Sequence, residues 1–143
     1  MNKMKMSYPN ANRRNPDWSR DETVLLMDLY LSAPNARENH PEVVALSLVL
    51  REAGKRQGRA ISPTFRNPAG IAMRLRNFGK LDPNAPATRN AGLRPGGATD
   101  RLVWKEFGGE RAALVSEVHK IRRSLALGNW SVNQHRTLGL THI

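Results

Sequence analysis

The chain has 143 residues, 39% of them apolar before glycine is counted, a formal net charge of +11 and no cysteine. That length suits one domain of ordinary size, and the 31 Leu, Ile, Val and Phe residues support a modest core and exclude a large one. Without cysteine there is no disulfide, cysteine zinc site or thiol catalysis; no apolar run approaches a membrane span, and the N-terminus (MNKMKMSYPNANRRN) lacks the apolar stretch of a signal peptide, so the first reading is a soluble cytoplasmic protein with an acidic partner.

Residues 1–16 are polar and read as a disordered N-terminal segment. A helical domain over 17–128 follows, and 129–143 read as a linker or tail. The first helix is expected to start at Ser19, because Ser19-Arg-Asp-Glu22 has capping-box spacing. Val24 to Leu31 carries Asp28 as its one charge and so predicts a core helix, apolar over much of its circumference. Ser32-Ala-Pro34 ends it. A second helix starts near Pro41, with Glu42 in its first turn, and is expected to stop at Gly54 before a basic loop over 54–63.

Asn67-Pro68 predicts the start of a third helix, a capping side chain followed by a proline at the first position. Ile71, Leu75 and Phe78 share its core stripe. Arg74 flanks that stripe, Arg76 and Lys80 lie on another face, and Gly79 is a plausible stop. Residues 82–98 (DPNAPATRNAGLRPGGA) form a long connection with little that can pack; such loops are often functional. Thr99 or Asp100 is expected to cap a short helix to Phe107, which Gly108-Gly109 breaks. A last helix runs from about Glu110 to Leu127, with Leu114, Val118, Ile121 and Leu125 on one face. No strand pattern and no repeat is evident, so the fold class is all-α, a compact bundle of about five helices.

The charge is uneven. Residues 17–53 are net −4, whereas 54–105 hold 11 basic side chains against Asp82 and Asp100, a net of +9. A single-sign region attracts polyanions, and the 17 Arg against 6 Lys favour bidentate contacts to phosphate and guanine edges. The helix start at Asn67 offers backbone N–H groups that suit a phosphate oxygen, beside Arg66 and followed by Arg74, Arg76 and Lys80; the plain alternative is a capped helix start and nothing more. Arg89, Asn90 and Arg94 on the long loop are placed to reach bases, or belong to a surface loop without a role. Trp18, Trp104 and Phe107 read as core, and Tyr30 as either core or base-stacking.

Catalysis finds little support. His40, His119, His135 and His142 have no metal-ligand spacing, His40 reads as a helix-start residue and His119 as a surface one. Asp21 and Glu22 are accounted for by capping, and Asp82 and Asp100 by a turn or cap. Gly92-Leu-Arg-Pro-Gly-Gly97 lacks the Lys-Ser/Thr ending of a phosphate loop. No metal and no cofactor is expected.

Trp18-Ser-Arg-Asp-Glu, Asp28-Leu-Tyr-Leu31, Phe65-Arg-Asn-Pro-Ala-Gly-Ile-Ala-Met-Arg-Leu-Arg-Asn-Phe78, Leu81-Asp-Pro83, Gly92-Leu93, Trp104-Lys-Glu-Phe107 and Ile121-Arg122 together resemble the helical N-terminal recognition domain of McrA-like, modification-dependent (type IV) HNH restriction endonucleases. The Arg-Asn-Pro-x-Gly-Ile-x-Met stretch is the most specific part, and the resemblance runs from about Trp18 to Arg123. It implies a sulfur-binding domain of bacterial defence, reading phosphorothioate DNA, or else a reader of methylated cytosine. An RNA-binding or ribosome-associated protein is the further alternative. The resemblance also implies a nuclease domain with a His-rich metal site, through which a homodimer would form. This chain lacks those residues, so it reads as an excised or stand-alone recognition module and not as an enzyme, with modified double-stranded DNA as partner and no membrane. On this reading Arg66, Asn67, Pro68, Ala69 and Gly70 form the contact to the modified linkage. Arg89, Asn90 and Arg94 read bases, and Arg74, Arg76, Lys80 and Lys105 hold phosphates.

Overall fold

In the computed structural model, which describes residues 15–86 and 96–126, five helices follow one another: α1 (Arg20–Ser32), α2 (Pro41–Arg56), α3 (Pro68–Gly79), α4 (Ala98–Phe107) and α5 (Arg111–Ala126). There is no strand among the described residues, and the bundle is the all-α one expected. The capping box at α1 forms as the sequence implies: the Ser19 hydroxyl accepts from the Glu22 amide at 3.1 Å, and Glu22 Oε1 accepts from the Ser19 amide at 2.9 Å. Val24 to Met27, Leu29 and Tyr30 are all buried. A helix apolar on every side needs neighbours on every side, and α2, α3, α4 and α5 each pack against α1. Contacts of α2 with α3 and of α4 with α5 help close the bundle.

The core is completed by the stripes legible in the sequence. Ile71, Leu75 and Phe78 of α3 are fully buried, as are Leu114 and Ile121 of α5 with Val118 and Leu125 beside them. Tyr30, Phe78 and Trp104 meet edge to face, with centroids 5.6–6.4 Å apart. Tyr30 is therefore core, and its hydroxyl donates to Asp82 Oδ2 at 2.8 Å. Asp82 Oδ1 accepts from the Asn84 amide, so that carboxylate orders the turn after α3.

Two helix ends differ from expectation. Gly54 does not stop α2. It is buried within the last turn, where the Phe65 ring comes so close that a Cβ would stand 2.8 Å from Cε2. The chain leaves the helix instead at Gln57 and Gly58, whose φ of +80° suits glycine. At α4 neither Thr99 nor Asp100 is the cap: Gly97 holds that position and supplies no side-chain bond, while Asp100 is buried in the first turn. His40 does cap α2, its Nδ1 accepting from the Glu42 amide at 3.0 Å. Among the described residues no helix is long and apolar enough to cross a membrane.

Candidate nucleic-acid interface

The connection from α2 to α3 sets the geometry. Arg51 of α2 donates to the carbonyls of Ser62 and Phe65, at 3.2 and 2.6 Å. The Ser47 hydroxyl donates to the Arg66 carbonyl at 2.7 Å. These bonds hold Arg66 at φ +47°, a left-handed conformation that costs a non-glycine residue roughly 1–2 kcal/mol. The twist turns the Arg66 guanidinium inward. Nε and Nη2 meet both oxygens of Glu22, at 2.9 and 3.0 Å, and Nη1 and Nη2 reach the carbonyls of Pro16 and Asp17. With its side chain 2% exposed, Arg66 cannot offer its charge to a ligand, which corrects its expected place in the modified-linkage contact. It is a fastener between α1, the residues before α1 and the start of α3. The same contacts order Asn15 and Pro16, which composition alone places in the unstructured N-terminal segment: Asn15 Nδ2 donates to Thr64 Oγ1 at 3.2 Å, and Ser62 donates to Asn15 Oδ1 at 3.1 Å.

Immediately after Arg66 the backbone turns into α3. Asn67 Oδ1 accepts from the Gly70 amide at 2.8 Å, and Pro68 stands at the first position. Ala69 and Gly70 are exposed, and Asn67 and Pro68 are half-buried. Gly70 lines a cleft of about 490 Å³. Gly97, Ala98 and Thr99, the start of α4, form the opposite wall. Two helix N-termini thus open onto one space; at α3 Pro68 has no N–H and the Gly70 amide is bonded to Asn67, so the amides left to meet an anion are chiefly those at the α4 start. Asn15, Pro16, the exposed Asp17 and Thr64 also line the cleft.

Trp18 forms the floor. As the sequence implies, it packs against the core, but it is only half-buried, with Arg66 over its ring at 4.9 Å and Arg74 also at 4.9 Å. Two guanidiniums occupy the indole, so it presents a fixed surface and not a free stacking face. Arg74, expected on a phosphate, instead has Nη2 on Asp100 Oδ1 at 2.7 Å. Asp100 is fully buried, and burial pushes its carboxyl above the usual aspartate range against the opposing pull of Arg74 and Arg101. Arg74 Nε and Asp100 Oδ2 are both buried without a hydrogen-bond partner.

The other cations expected on phosphates stand on two different helices. Lys105 lies two turns beyond Ala98 on the outward face of α4, and the exposed Arg101 stands one turn before it on that face. Arg76 and Lys80 are exposed on α3. At 100° per residue they stand on the flank away from Gly70 and Arg74, so the structure does not bring them to the cleft. Arg89, Asn90 and Arg94 lie outside the described residues. Sequence reasoning missed Thr99, Arg101 and the structural role of Asp100. The available signals were the Arg101–Lys105 spacing of four and the rarity of carboxylates in this basic stretch. Among the described residues no group of three His, Cys, Asp or Glu side chains could hold a metal ion. No family model, no curated protein and no solved structure matches the chain.

Proposed function

We propose that the chain binds double-stranded DNA carrying a phosphorothioate linkage, as the recognition module of a modification-dependent HNH restriction endonuclease. The supporting observation is the cleft lined by Gly70, from the α3 start, by Trp18 and by Gly97, Ala98 and Thr99 at the α4 start, where no side chain caps the helix. Sulfur in place of a non-bridging oxygen is larger, more weakly hydrated and a poorer hydrogen-bond acceptor. A reader discriminates by giving it apolar surface and by leaving an ordinary oxygen short of the bonds it has in water. The Pro68 ring and the exposed Ala69 methyl beside the cleft, with Pro16 and Ala98 that line it, supply that surface, and amides at the α4 start supply donors for the remaining oxygen. Arg101 and Lys105 extend a basic face from the cleft along α4, about 10 Å of helix, on the order of three base-pair steps of duplex rise.

Competition among phosphorothioate, cytosine-methylated and unmodified duplexes and single-stranded RNA, at one fixed salt concentration, tests this. The phosphorothioate duplex is expected to win. A win by the methylated duplex makes the protein a base reader, and a win by RNA removes it from DNA recognition. Pro68→Ala is expected to weaken binding to the phosphorothioate duplex and to spare the unmodified one; equal loss on both would overturn the assigned corner.

A further inference from the structure

The two arginines of the cleft are both spent. Arg66 is matched by Glu22 through two hydrogen bonds, and Arg74 by Asp100 through one. Each carboxylate is buried, Glu22 to 3% and Asp100 to 1% exposure, so neither pair is loosened by water. A cleft that receives a diester would ordinarily present an unpaired guanidinium, because that is the strongest generic attraction for a phosphate. This one withholds it. The withholding is also incomplete at Arg74. Its Nε and Asp100 Oδ2 stand buried without partners, so the pair forms one bond where a side-by-side geometry forms two. Arg74 keeps 28% of its side chain exposed at the cleft wall, whereas Arg66 keeps 2%. Of the two, Arg74 is the cation within reach of a ligand, and Asp100 is what occupies it.

We propose that Asp100 is a specificity-determining residue, which neutralises Arg74 so that the cleft gives no electrostatic reward to an unmodified phosphate. This rests on the reading that the cleft takes a backbone linkage of DNA. An unpaired guanidinium would attract any diester, and most strongly the hard, localised charge of oxygen. That attraction would offset the desolvation cost on which rejection of unmodified DNA depends. With Arg74 held by Asp100, the oxygen diester meets the α4 amides, small apolar surfaces and the Asp17 carboxylate, and loses more water than it regains in bonds. The sulfur diester has less to lose. Discrimination here comes from a counter-charge that the ligand never touches.

Asp100→Asn removes the counter-charge and keeps the shape. Affinity for unmodified duplex is expected to rise about tenfold, as one added charge-assisted hydrogen bond supplies. Affinity for phosphorothioate duplex is expected to rise less, so the preference narrows. The salt slope on unmodified duplex is expected to steepen by about 0.9, one further phosphate neutralised. Asp100→Glu, which keeps the charge, is expected to restore the preference, and Arg74→Gln added to Asp100→Asn to bring unmodified binding back down. An Asp100→Asn protein that melts cooperatively yet shows unchanged unmodified affinity and slope overturns the proposal. If that variant does not fold, the double variant decides, since it strands no buried charge: a loss of the preference there also overturns the proposal. A parent protein that binds duplex without preferring phosphorothioate overturns the functional reading instead, and the unmodified affinity and slope still judge Asp100.

Discussion

Glu22 accepts from the Ser19 amide and from two nitrogens of Arg66, so one carboxylate both starts α1 and anchors the residue before the α3 corner. Taking away Arg66 strands that carboxylate in the interior. Arg66→Met is therefore expected to cost about 3–5 kcal/mol in denaturant unfolding, whereas Arg76→Ala, on the exposed face of α3, stays within about 0.5 kcal/mol. A small loss at Arg66 would mean that its charge is not needed to hold the fold. The contribution of Asp100 changes with pH. Burial raises its folded pKa above the unfolded value of about 4. Between those two values the folded chain binds the proton and the unfolded chain does not, so stability from this group falls as pH rises through that window. Asp100→Asn abolishes the effect. The stability of the parent relative to the variant is expected to decline from about pH 4 upward until Asp100 is ionised in the folded protein, and unfolding curves over a pH series that show it climbing would contradict this sign.

At the level of the helices, local signals were legible and tertiary ones were not. The Ser19 capping box and the Asn67-Pro68 start each close within four residues, so the sequence carries the whole interaction. Gly54 misleads because glycine near a helix end ordinarily marks a left-handed stop, and its actual role depends on a ring eleven positions onward. Arg66 misleads more. Its neighbours in sequence mark it as a surface cation at a helix start, and its partner Glu22 lies 44 positions away. The candidate cleft is hidden for the same reason: its walls come from the residues before α1, the α3 start and the α4 start, which only packing brings together. Gly54→Ala measures how tightly that packing is set. Alanine is the better helix former by about 1 kcal/mol, yet its methyl would meet the Phe65 ring. A net loss of about 1–3 kcal/mol is expected from overpacking, and a gain in thermal stability would show that the ring can move aside.

For the whole molecule, the +9 of residues 54–105 overstates what a polyanion meets. Arg66 and Arg74 are neutralised by Glu22 and Asp100, and Arg101 partly spends its guanidinium on the Gly96 carbonyl at 3.0 Å. What remains exposed among the described residues includes two pairs on separate faces, Arg101 with Lys105 on α4 and Arg76 with Lys80 on α3. On the proposed reading, a straight duplex seated over the cleft would follow the exposed Arg101 and Lys105 of α4 and leave the far flank of α3 turned away. Each phosphate contact contributes about 0.9 to the slope of log affinity against log salt on B-DNA. Replacing Arg101 and Lys105 together by Gln is expected to reduce that slope by up to about 1.8 and to weaken all sequences alike. Replacing Arg76 and Lys80 is expected to reduce it by less. Circular dichroism melts on both double variants check that the bundle is intact, since all four side chains are solvent-facing. The reverse ranking would place the duplex across the other flank of α3 and take the cleft out of the interface.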